Sequence, residues 1–228
     1  MYNIYVGWDS REDIAYQVCE HSIRRRTRRN NISIIPLKQN DLREQKLYWR
    51  DKDKLSSTEF TITRFLVPYL NNYEGWAVFC DCDMVWRVDP RELFDQVQDD
   101  KAVWVVKHEY EPEEGTKMDG QMQLPYPRKN WSSMILWNCG HPKNQALTLD
   151  KVNTETPKFL HRFEWLDDED IGTLDHGWNW LVGWYNKEER DGQAKIIHYT
   201  EGGPWFEETR NCEYDHIWKQ ELINLYTS

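Results

Sequence analysis

The residues best suited to chemistry stand together in Phe79-Cys80-Asp81-Cys82-Asp83. An apolar run from Trp76 breaks there into two carboxylates one residue apart, with Gly75 in front and the polar Arg87 to Pro90 behind. The pattern reads as a buried, parallel-type strand that ends at the edge of a sheet. Side chains alternate along a strand, which predicts Asp81 and Asp83 on one side and close together. Like charges so placed repel unless a cation lies between them. Open α/β sheets bind ligands beyond the carboxyl ends of their strands, so the stretch points to a divalent-metal site holding a phosphate-bearing substrate. Solvated loop acids are the competing reading, because the chain has 39 acidic residues and short motifs recur by chance.

Other candidates lie far off in sequence. Gly7-Trp8-Asp9 follows a short apolar strand, Asn3 to Gly7. Asp9 then faces the same edge as Asp81, either as a contact to a nucleotide base or ribose or as a helix cap. Arg64 lies beside the apolar face of a segment in which Ile62, Phe65, Leu66, Tyr69 and Leu70 recur, and its forked donors suit a phosphate pair. His198 closes the apolar Ala194 to Ile197, where a hydrogen-bonded structural role competes with ligation. Gly202 and Gly203 beside it allow backbone N–H groups to close round a phosphate. Asp167 to Asp170 is an acid run before the aromatic Trp178-Asn179-Trp180, so its acids either cap a turn or line a pocket floored by indoles. Among Trp131, Trp137, Trp178, Trp180 and Trp205, most are expected in the core, with Trp178 and Trp205 nearest the motifs.

The elements that must position these residues begin with strand, helix and strand. Ile14, Ala15, Val18, Cys19, Ser22 and Ile23 recur at helical spacing after a Ser10/Asp13 capping box, and Ile32 to Leu37 is strand-like. This βαβ opening implies a mainly parallel sheet flanked by helices. Asp41 to Leu55 is irregular; Asp89 to Phe94 is a short capped helix; Ala102 to Lys107 and Trp131 to Asn138 are strands; Gln145 to Leu166 is helical with a break at Pro157. His108 to Asn130 reads as a long loop over the site. The segment 206–228 is a helix packed on the body through Ile217, Trp218, Leu222 and Leu225. At 228 residues, 39% hydrophobic, one domain spanning 1–228 is expected. A net charge of −10 excludes a nucleic-acid partner, and the basic run Arg24 to Arg29 reads as the solvated carboxyl end of a helix. No apolar run is long enough to span a bilayer, no signal peptide opens the chain, and five cysteines without zinc spacing suit a reducing, cytoplasmic setting.

In combination, the strand end near Asp9, Thr63-Arg64 with Pro68, Asp81-Cys82-Asp83, Asp168-Glu169-Asp170-Ile171, Trp178-Asn179, His198-Tyr199, and Gly202 with Pro204-Trp205 resemble family 8 glycosyltransferases. The resemblance runs from Asn3 to Trp205 and implies a GT-A fold, a single nucleotide-binding α/β domain, and retaining chemistry. It implies that Asp81 and Asp83 bind Mn²⁺, or Mg²⁺, with His198 as third ligand. By the same matching, Gly7, Trp8 and Asp9 meet the uridine side of a UDP-hexose, Arg64 meets sugar and phosphates, Cys82 lies within the donor-binding motif, and Gly202 meets the diphosphate. Asp168, Glu169 and Asp170 become the carboxylates nearest the reacting sugar. Four departures stand out: Gly203 where a lysine is usual, Ser132-Ser133-Met134 in place of Asn-Ala-Gly, Glu169 in place of glutamine, and Arg11 in place of an aromatic.

The implied chemistry is transfer of a hexose from a nucleoside diphosphate to the hydroxyl of a glycan or other acceptor. A covalent intermediate on Glu169 competes with same-face attack. A sugar-nucleotide pyrophosphorylase and an inactive, Trp-rich carbohydrate-binding protein are the readings from other classes.

Overall fold

The computed structural model describes residues 2–27, 31–51, 57–108, 128, 130–185 and 193–227. Six strands form the main sheet: β1 (Tyr2–Gly7), β2 (Ile32–Leu37), β3 (Trp76–Cys80), β5 (Val103–Val106), β6 (Met134–Asn138) and β7 (Ile171–Leu174), in the order β2-β1-β3-β6-β5-β7. All run parallel except β6, which is antiparallel to both β3 and β5. β4 (Met84–Trp86), β8 (Trp180–Leu181) and β9 (Ile196–His198) form a second, three-stranded sheet in the order β4-β9-β8. The expected α/β architecture with a mainly parallel sheet is therefore present, with one reversed strand at its centre.

Helix α1 (Asp13–Arg26) buries Ala15, Tyr16, Val18, Cys19, Ser22 and Ile23, the face that its spacing predicts. The Ser10/Asp13 capping box is not formed. Glu12 is the N-cap with no side-chain cap bond, and Ser10 Oγ donates instead to Glu59. Helix α2 (Gln39–Glu44) occupies part of the stretch expected to be irregular; its single buried residue, Leu42, explains why no periodicity announces it. The Arg64 segment is shorter than a continuous helix: a 3₁₀ turn, Thr63–Leu66, leads into α3 (Val67–Leu70). Pro68 occupies the first turn of α3, where its missing N–H leaves no bond unmade.

Helix α4 (Arg91–Phe94) follows β4; its N-cap is Pro90, without a side-chain cap bond, and Arg91 N–H donates to Asp89 Oδ1 just ahead of it. The long helical reading of Gln145 to Leu166 resolves into a 3₁₀ turn, Pro142–Ala146, then α5 (Leu149–Thr154) and α6 (Pro157–His161). Thr148 and Thr156 cap α5 and α6, and Pro157 starts a helix rather than kinking one. Most of the loop expected over His108 to Asn130 lies outside the described residues.

The carboxyl-terminal helix, α7 (Asp215–Thr227), docks on α1. Its Glu221 is buried, accepting from Arg25 Nε at 3.1 Å and Arg26 Nη1 at 3.1 Å, with His21 Nδ1 at 2.8 Å. The basic end of α1 is thus a clamp on α7, not simply a solvated helix end. One hydrophobic core lies around the main sheet, and a smaller one, including Val18, Val85, Trp180, Tyr199 and Trp218, joins α1, the second sheet and α7.

Candidate metal centre

β3 ends at Cys80, and the chain continues as Asp81-Cys82-Asp83 in a short turn before β4. The two acids are brought together by this turn and not by strand alternation. Asp81 N–H donates to Ser133 O at 3.0 Å, while Cys82 is buried below them. β4 pairs antiparallel with β9 so that Met84 opposes His198, and Tyr199 N–H donates to Asp83 O at 2.9 Å. That register sets His198 Nε2 3.2 Å from Asp83 Oδ1. One ligand atom from each of Asp81, Asp83 and His198 lies within 4.8 Å of the others.

The electrostatics fit a cation. Oδ1 of Asp81 and Oδ1 of Asp83 are buried and face the cluster, where Arg64 Nη1 stands 3.0 Å from the first and His198 Nε2 3.2 Å from the second. Burial, with Asp83 as a further push against the pull of Arg64, drives the Asp81 carboxyl up to about 7. His198 is buried, which alone would lower its pKa, yet the neighbouring Asp83 and Asp81 hold it above the usual imidazole value. Two carboxylates and an imidazole whose ligand atoms converge form a donor set that suits Mn²⁺ or Mg²⁺.

A hydrogen-bond chain aims the imidazole. His198 Nδ1 lies 2.9 Å from Asn179 Oδ1, and Asn179 Nδ2 donates to Ser133 Oγ at 2.9 Å; Ser133 Oγ donates to Asn130 O at 2.7 Å. This polarity puts the proton of neutral His198 on Nδ1 and leaves the Nε2 lone pair for a ligand. Asn179 is fully buried on the 3₁₀ turn His176–Asn179, whose start is capped by Asp175. The sequence reading gives Asn179 no role of its own beyond its place in the Trp178-Asn179 part of the resemblance, yet here it holds the imidazole.

Arg64 is buried, with Nη1 3.0 Å from Asp81 Oδ1 and donating to Ser132 O at 2.7 Å. It lies within the site rather than beside a helix face. Its guanidinium stacks 4.8 Å from Phe79 and 5.4 Å from Phe60. A Cβ at Gly7 would stand 2.5 Å from the Phe60 ring, so glycine permits the close approach of β1.

Asp9 is fully buried and committed to the protein: Arg11 donates to both its oxygens, and Glu59 N–H donates to Oδ2 at 3.0 Å. Burial would raise its pKa, but these bonds hold it below the usual carboxylate value. Trp8 donates to Asp13 at 2.7 Å and lies under Lys38. Glu12 is a further site acid that spacing did not reveal. Burial, then the charges of Asp83 and Asp9, push it to about 7. Gly202 turns the chain after β9 with φ +99°, its N–H donating to Tyr199 O at 2.9 Å.

The acid run is not brought to this edge. Asp168 to Asp170 forms a 3₁₀ turn before β7, at the amino end of the parallel strands. That is three strand spacings, roughly 14 Å, and one short strand, roughly 13 Å, from the end of β3. Asp170 binds Lys143 and caps the Asp167 N–H, Asp168 pairs with Arg128, and Glu169 is exposed. Trp137, Trp178 and Trp180 are fully buried, whereas Trp131 and Trp205 are partly exposed. A cleft of about 490 Å³ lined by Arg87, Asp175 and Lys195 opens by the Trp86 end of β4, away from the acid–imidazole cluster.

No protein-family model matches the chain. Over 225 residues, 97% of the chain and 86% of the relative, it is 52% identical to Protein CDI of Arabidopsis thaliana. Its fold is similar to that of the glycosyltransferase GlyE of Streptococcus pneumoniae, with a TM-score of 0.61 at 14% identity over 96% of this chain; it spans 59% of the GlyE chain. The galactosyltransferase LgtC, solved with donor and acceptor sugar analogs, gives a TM-score of 0.61 at 14% identity over 99% of this chain and 97% of LgtC. The fold is therefore that of GT-A glycosyltransferases. No described helix is long and apolar enough to cross a membrane.

Proposed function

This chain belongs to the same family as Protein CDI of Arabidopsis thaliana, and we propose that it is a metal-dependent, retaining glycosyltransferase of the family 8 type, working in the cytoplasm. It moves a hexose from UDP-glucose or UDP-galactose to an acceptor hydroxyl. The observation that carries the reading is the convergence of Asp81, Asp83 and His198, one ligand atom from each within 4.8 Å of the others, at the carboxyl edge of a mainly parallel sheet. The likeness to LgtC supports a sugar donor and a sugar acceptor. The five free thiols agree with a reducing compartment.

Asp81, Asp83 and the Nε2 atom of His198 would hold the ion, with Mn²⁺ favoured over Mg²⁺ by the imidazole. A bound divalent cation offsets the charge that gathers on a departing diphosphate. Arg64, held by Ser132 and Asp81, presents fixed cationic donors to the same diphosphate. Gly7 and the Asp9 loop form the nucleoside side, where Asp9 acts by anchoring Arg11 and Glu59. Gly202 lets the chain turn beside the phosphates. Asp168, Glu169 and Asp170 have no part in bond breaking in this reading, so Glu169→Gln is expected to turn over at close to the native rate.

Incubation with UDP-glucose or UDP-galactose and Mn²⁺ tests the proposal. Slow, Mn²⁺-dependent release of free UDP is expected. Formation of UTP on adding pyrophosphate would make the protein a pyrophosphorylase instead, and sugar binding without turnover would make it a binding protein.

A further inference from the structure

Two neighbouring parallel strands end in histidines at the edge that carries the metal cluster. His108 follows β5, and His176 follows β7. Their rings are 6.2 Å apart, and Tyr185 lies 5.3 Å from the His176 ring and 6.1 Å from the His108 ring. His108 Nδ1 is hydrogen-bonded to the Tyr185 hydroxyl. At 6% exposure His108 is buried, yet among the described residues its Nε2 has no partner, nor has the buried Nδ1 of His176. The reading of the metal centre uses neither group. Buried polar atoms are almost always bonded, so two orphaned ring nitrogens in one cluster ask for a ligand.

We propose that His108 and His176 form the seat of the acceptor in the transferase reading above, on which this inference rests, and that the acceptor is a neutral, hydroxyl-bearing sugar ring. A hydroxyl both donates and accepts, so it satisfies an imidazole nitrogen in either tautomer. An anionic group could only accept. Burial first, then the charges of His198 and His176, hold His108 down to about 3. It therefore stays uncharged and gives no ionic attraction to an acidic acceptor. Tyr185, bonded to Nδ1, fixes the ring so that Nε2 is the free nitrogen.

The test is ¹⁵N-histidine NMR on the protein with UDP and diamagnetic Mg²⁺, titrated with methyl β-glucoside, methyl β-galactoside and glucose 6-phosphate. The His108 ring resonances, assigned by their loss in His108→Phe, are expected to shift with at least one neutral glycoside and not with the phosphate ester. For the glycoside that shifts them, His108→Phe should raise the acceptor KM about five- to tenfold, the worth of one neutral hydrogen bond. No shift with either glycoside while UDP and Mg²⁺ bind overturns the assignment, as does a shift with the phosphate ester alone. Failure of UDP and Mg²⁺ to bind sinks the transferase reading and this inference with it. The wild-type titration decides even if the Phe variant does not fold.

Discussion

Replacing Asn179 by leucine isolates the aiming of His198 from its presence. Asn179 accepts from His198 Nδ1 and donates to Ser133 Oγ, both at 2.9 Å, from a fully buried position. Leucine has similar bulk and no acceptor, so the imidazole N–H loses the bond that fixes its tautomer and tilt. Loss of such an outer partner weakens metal binding ten- to a hundredfold, about 1.4–2.7 kcal/mol. The orphaned N–H also costs stability, about 1–3 kcal/mol, so melting must be followed separately. Calorimetric titration of Mn²⁺ into protein shown to be folded by circular dichroism reads the first effect without the second. Asn179→Asp restores an acceptor at Nδ1 and is expected to recover most of the affinity at pH 8. A folded Asn179→Leu protein whose Mn²⁺ Kd stays within twofold of native would refute the argument that Asn179 orients a ligand.

Asp83→Asn is expected to abolish thermal stabilisation by Mn²⁺, which in the native protein should approach about 2.7 kcal/mol at a hundredfold excess over Kd. Without metal the variant should melt no lower than native, because Asp83 helps to push Asp81 toward 7; a retained Mn²⁺ response would place the ion elsewhere. For Glu221, burial alone would raise the pKa, but Arg25 and Arg26 outweigh it and hold it below the usual 4.5. Its contribution is therefore present above that value and lost as pH falls through the lower folded one. Urea unfolding between about pH 6 and 3 should show a steeper acid loss for native than for Glu221→Gln. Gly7→Ala puts a Cβ 2.5 Å from the Phe60 ring and should cost about 1–3 kcal/mol in urea unfolding; an unchanged midpoint would mean that Phe60 yields freely.

The parallel sheet was legible because β1, β3 and β5 are apolar runs punctuated by polar turns, and α1 shows its buried face openly. The reversal of β6 was not, since a strand buried along its whole length reads the same in either direction. Asp81 and Asp83 announced themselves as charges after an apolar run, whereas His198 gained its meaning from resemblance and needed the β4–β9 register to reach them. Asn179 was hidden because a buried amide leaves no periodic trace. The acids at 168–170 misled for a related reason. Their order along the chain said nothing of which end of β7 they occupy, and they stand at its start.

The joining of Asp83 to His198 through β4 and β9, and of α1 to Glu221 through α7, has a consequence for biosynthesis. A ribosome releases both acids long before the imidazole, and Glu221, the acid that clamps the first helix, follows later still. Until those segments emerge, nascent chains carry Asp83 without its imidazole, although Arg64 is already there for Asp81, and Arg25 and Arg26 lack their acid. Deleting α7 therefore loosens α1 from a distance, without removing Asp81, Asp83 or His198.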